Sequence, residues 1–105
     1  MAETLGVLLT TSPEHADLHT VVHLTRAALS QGRRVRLFLM CDGVYGLLGS
    51  ELRELAGEGA QIVLCGQNAA ERHVDPIEDI ENVRWGSQYD FAQIAAECDR
   101  VIAFN

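Results

Sequence analysis

The stretch with most chemistry in it is QIVLCGQNAAERH, residues 61–73. Gln61 to Leu64 form an apolar, partly β-branched run that ends on Cys65. Gly66 follows, and Gln67 to Arg72 have the composition of a short helix. A thiol at such a handover is suited to nucleophilic sulfur chemistry, because unpaired N–H groups at a helix start (Gly66, Gln67, Asn68) favour negative charge, which a thiolate carries. The same position equally suits a small buried hydrophobe, a common fate of a free cysteine. Both readings stay open at the level of position alone.

Other reactive residues are weaker candidates. Cys65 and Arg72 are separated by six residues, one more than the C-x5-R loop of a cysteine phosphatase, and Glu71 would repel a phosphate. His15, His19 and His23 recur every fourth residue, a spacing that can present imidazoles to a metal. Each step drifts by about 40° around a helix, so three on one ion is strained and a polar helix flank is the simpler reading; no metal site is expected. Cys98 shares a helical stripe with Phe91, Ile94 and Ala95 and is expected to pack. Cys41 lies at a strand exit, where it is either a packing residue or a second thiol beside Cys65. The acidic run Asp75, Glu78, Asp79 and Glu81 is a solvated loop or a docking patch for a basic partner.

Elements must position these groups, and the chain supplies them in alternation. Residues 5–10, 35–40 and 61–65 are apolar runs of strand length, with shorter candidates at 83–85 and 100–104. Between the first two, Ser12 can cap, Pro13 fits a first helical turn, and Leu18, Val21, Val22, Thr25, Ala28 and Leu29 share one face as far as Gln31, where Gly32 stops the helix. A second helix is expected from Val44 or Leu47 to Ala56, closed by Gly57 and Gly59. A last helix begins at Ser87, which with Asp90 matches a capping box. Strands alternating with helices predict a three-layer α/β/α domain over residues 1–105, with a mainly parallel sheet of about five strands and a flavodoxin-like general architecture.

In open α/β sheets ligand sites gather beyond the carboxyl ends of the strands. Four exits then share one rim: Ser12 to His15, Cys41 to Gly43, Cys65 to Asn68, and Trp85 to Ser87. The candidate pocket residues are therefore Ser12, His15, Cys41, Asp42, Gly66, Gln67, Asn68 and Trp85, around Cys65.

Composition narrows the partners. All eight basic residues are arginine, against fifteen acids, for a formal net charge of −7, which repels phosphate backbones and argues against nucleic acid. At 105 residues the chain can bury roughly two thirds of its unfolded surface. No apolar run approaches the ~20 residues of a membrane span. Three cysteines are too few, and odd in number, for a disulfide framework. With no basic segment at the start, a cytoplasmic address is expected.

The order of Asp42-Gly43-Val44-Tyr45 after the second strand, the strand ending in Cys65 with Ala69, Ala70 and Arg72 behind it, and the closing DRVIAFN resembles the DsrE/DsrF family, which includes TusD and YchN proteins. The likeness covers nearly the whole chain. It implies a compact α/β/α oligomer, a trimer or hexamer of like or related subunits, in intracellular sulfur trafficking. In relay members the cysteine matching Cys65 carries a persulfide passed between partner proteins, which would make this chain a sulfurtransferase or sulfur carrier with no cofactor and a sulfur-carrier protein as partner. Some relatives lack that cysteine and have no established activity, and a non-catalytic oligomeric binding module of the same fold is the alternative.

Overall fold

A computed structural model describes residues 3–75 and 80–105. The expected acidic loop at 75–82 therefore lies partly outside the described residues, Glu78 and Asp79 among them. Five strands, β1 (Thr4–Leu9), β2 (Arg34–Leu39), β3 (Gln61–Cys65), β4 (Val83–Gly86) and β5 (Arg100–Phe104), form one sheet in the order β4-β3-β2-β1-β5, with every neighbouring pair parallel. The helices are α1 (Ala16–Ser30), α2 (Glu51–Gly57), α3 (Gly66–Glu71) and α4 (Gln88–Glu97), with a 3-10 segment at Cys41–Leu48. The three layers expected from the alternation of elements are present.

The central strands read as continuous apolar runs because both of their faces are covered. Val7, Leu9, Leu37, Leu39, Ile62 and Leu64 point to one side, where α1 brings Leu18, Val21 and Val22 and the next segments bring Val44, Leu47, Leu52 and Leu55. The other side is thinner. Phe38, Val63 and Cys65 meet Ile94 of α4, bordered by Leu8, Met40, Phe91 and Cys98, with the Phe38 and Phe91 rings 5.6 Å apart.

Two boundaries differ from expectation. Ser12 and Pro13 form a turn, closed by the His15 N–H donating to the Ser12 carbonyl at 3.0 Å and by Thr11 Oγ1 donating to Asp17 at 2.7 Å, so α1 starts at Ala16. The single helix expected from Val44 or Leu47 to Ala56 is instead the 3-10 segment followed by α2. Gly43, Gly46 and Gly49 weaken an α-helix there, while Val44 and Leu47, both fully buried, are three apart and eclipse on a 3-10 turn. At the end of α1, Gly32 adopts φ +79°, and the Arg33 N–H returns to the Ala28 carbonyl at 3.0 Å, as a glycine stop should.

Candidate functional site

Cys65 ends β3 and stands immediately before α3. Its side chain makes no capping bond to the amides of that helix. It turns to the α4 side of the sheet, beside Phe38, Val63 and Ile94, and the residue is 4% exposed. Alternation along β3 dictates this, since Cys65 follows Val63 by two residues and so shares its face. The anticipated thiol-to-amide contact is therefore replaced by an apolar one.

The rest of the rim divides into three groups. In the first, Asn68 Oδ1 accepts the backbone N–H of Cys41 at 2.7 Å, Arg72 Nε donates to Asp42 Oδ1 at 2.8 Å, and Arg72 Nη1 donates to the Asn68 carbonyl at 3.3 Å. Cys41, Asp42 and Asn68 are thus brought together around Arg72, a residue absent from the expected pocket. Its place one turn beyond Asn68, on the helix next to the β2 exit, was the available signal. The Asp42 hydrogen bond raises the pKa of the Arg72 guanidinium, burial opposes this, and the charges of Asp42, Cys41 and Tyr45 add to the rise.

In the second group, Ser12 and Asp42 line an open groove of about 830 Å³ with Pro13, Glu14, Tyr45 and Leu48. In the third, β4 closes over the start of α3. Gly86 is paired with Cys65 and Trp85 with Leu64, and a side chain on Gly66 would lie 3.3 Å from the Gly86 carbonyl and 3.5 Å from the Trp85 ring. Trp85 packs half-buried against the larger core. Gln67 and His15 are exposed, and His15 precedes α1 without a side-chain cap.

The remaining candidates lie elsewhere. The His19 and His23 rings are 4.3 Å apart and tilted on an exposed flank of α1. Among the described residues no group of three or more His, Cys, Asp or Glu could hold a metal ion. Cys98 packs at the end of α4 as its stripe implied, and burial pushes its thiol pKa up, with Arg36 opposing. No helix among the described residues is long and apolar enough to cross a membrane.

A wholly parallel five-stranded sheet covered by helices on both faces defines the class as a small three-layer α/β/α fold, and comparison with known proteins bears on it directly. The chain belongs to the DsrE/DsrF-like family, whose profile matches residues 4–104. It is 25% identical over 114 residues to the uncharacterized protein MK0008 of Methanopyrus kandleri, spanning 97% of this chain and 94% of that one. Among solved structures, the YchN protein from E. coli matches with a TM-score of 0.81 and 22% identity, over 99% of this chain and 100% of the other. A conserved protein of unknown function, BT1422 from Bacteroides thetaiotaomicron, also reaches 0.81, at 13% identity over 97% and 95% of the two chains. At these identities the structural likenesses establish the fold.

Proposed function

We propose that this protein accepts and passes on sulfane sulfur as a persulfide on Cys65, in the cytoplasm, as an oligomer of like or related subunits that exchanges sulfur with a carrier protein. The observation that carries the reading is the place of Cys65: the last residue of β3, at the carboxyl edge of the sheet, in a chain of this family. The chemistry requires a thiolate that attacks a sulfane sulfur and then yields the outer sulfur to the next thiol. An apolar setting such as that of Phe38, Val63 and Ile94 shields a persulfide from stray reductants. Leu8, Met40, Phe91 and Cys98, the half-buried members around it, reach solvent.

A second reading has its own support. Cys65 is 4% exposed, and the open groove of Ser12, Asp42 and Tyr45 lies on the same rim, as in a binding module whose cysteine only packs. Treating the purified protein with polysulfide and weighing its peptides separates the two. Gain of one sulfur on the Cys65 peptide, lost in Cys65→Ser, is the expected result. A protein that stays unmodified yet is stabilised by small ligands would sink the relay and favour the module.

A further inference from the structure

A second thiol, Cys41, stands at the strand exit next to that of Cys65. β2 and β3 run in register with Leu39 opposite Leu64, and Met40 is still extended, at φ −138° and ψ 170°, so the Cα of Cys41 stays on the line of β2. With strands ~4.8 Å apart and ~3.3 Å per residue, the Cα atoms of Cys41 and Cys65 are about 6 Å apart, close enough for two cysteine side chains to meet.

Strict alternation would aim Cys41 to the side of Leu37 and Leu39. Its φ of +51° lies in the left-handed region that a cysteine rarely occupies. Relative to an extended residue, that value turns the onward chain to the α1 side, where Val44 and Leu47 enter the larger core. It turns the Cβ the opposite way, to the side on which Cys65 packs. The turn is tied at 2.7 Å to Asn68, in the helix that begins directly after Cys65, and Asp42 holds Arg72 next to it. Cys41 is half-buried where Cys65 is buried.

We propose that Cys41 is the outlet for sulfur stored on Cys65, an inference that rests on the persulfide reading above. The Cys41 thiolate attacks the outer sulfur of the Cys65 persulfide. A new S–S bond forms on Cys41 as the one on Cys65 breaks, and Cys65 leaves as a thiolate that takes up the proton released when Cys41 ionised. One thiol and one persulfide become one persulfide and one thiol, with no net oxidation and no further reactant. The more accessible residue then meets the acceptor, with the fixed charge of Arg72 beside it.

The test loads wild type, Cys65→Ser, Cys41→Ser and Cys41→Asn with polysulfide. It assigns the added sulfur peptide by peptide and times its transfer to a thiol coupled to a bulky polymer. Asn tolerates the left-handed backbone, so Cys41→Asn keeps the turn if Ser does not. The expected result is loading of Cys65 in both Cys41 variants, with transfer at least tenfold slower than wild type, and at least tenfold slower arrival of sulfur at Cys41 in Cys65→Ser. Transfer at the wild-type rate from either folded Cys41 variant overturns the outlet while leaving the Cys65 store standing. Undiminished loading of Cys41 without Cys65 overturns the order of transfer. No sulfur on Cys65 in wild type overturns the underlying reading, and the outlet with it.

Discussion

At the scale of single residues, Asp90 shows how one carboxylate serves two structures. It accepts the Ser87 N–H at 2.9 Å, completing the capping box of α4, and it accepts from the Arg84 guanidinium of β4. The Arg84 bond, then the Ser87 amide, lower its pKa, while burial pulls the other way. A carboxylate more acidic folded than unfolded stabilises the fold fully above the ordinary value of about 3.9, and that contribution is lost as pH falls through the folded value. Asp90→Asn is therefore expected to cost about 1 kcal/mol at neutral pH, with the gap to wild type closing as thermal unfolding is followed from pH 5 to pH 2. A gap that does not change with pH would refute the charge assignment. The S-x-x-D pattern made the capping box legible in the sequence. The Arg84 contact was not, because it depends on where β4 ends relative to α4. The Thr25 hydroxyl, buried in α1 with no partner among the described residues, has no structural explanation.

At the scale of elements, strands were easier to read than helix boundaries. The runs at 5–10, 35–40 and 61–65 agree with β1, β2 and β3 to within a residue, since a strand buried on both faces leaves an unbroken apolar signature. The helix expected from Val44 or Leu47 to Ala56 is met only in its second half, by α2, because the apolar spacing of Val44 and Leu47 fits either helix type and the conformation there is set from outside. A side chain on Gly43 would collide with the backbone carbonyl of Leu9, across the exits of β1 and β2. Gly43→Ala is accordingly expected to lower stability by about 2–3 kcal/mol through overpacking, measurable by denaturant unfolding. A loss below ~0.5 kcal/mol would show that the 3-10 segment is not pinned there. The rim was legible in the same uneven way. Strand-exit logic found Cys41, Asp42 and Asn68, but Arg72 joins them only through the packing of α3 against the 3-10 segment.

At the scale of the whole molecule, the sheet is unequally clothed and ends on an open strand. Among the described residues β5 pairs only with β1, and Val101 and Ile102 are each 39% exposed, while Tyr89 on α4 is 70% exposed. Bare apolar side chains on an edge strand are a liability that assembly removes. The proposed oligomer is thus expected to sediment at a multiple of the single-chain mass, and Ile102→Glu to shift it toward one chain with its circular dichroism unchanged. Sedimentation of wild type as a single chain at micromolar concentration would remove the oligomer from the proposal.

The thin side of the sheet has a kinetic consequence. Among the described residues Cys65 is roofed by one ten-residue helix, α4, through Ile94, whereas the opposite face carries several interlocked segments. Short elements with few buried contacts detach locally, at far lower free energy than global unfolding. Alkylation of Cys65 should therefore keep pace with amide hydrogen exchange along Gln88–Glu97, and tightening that helix would slow the thiol without altering any atom of it.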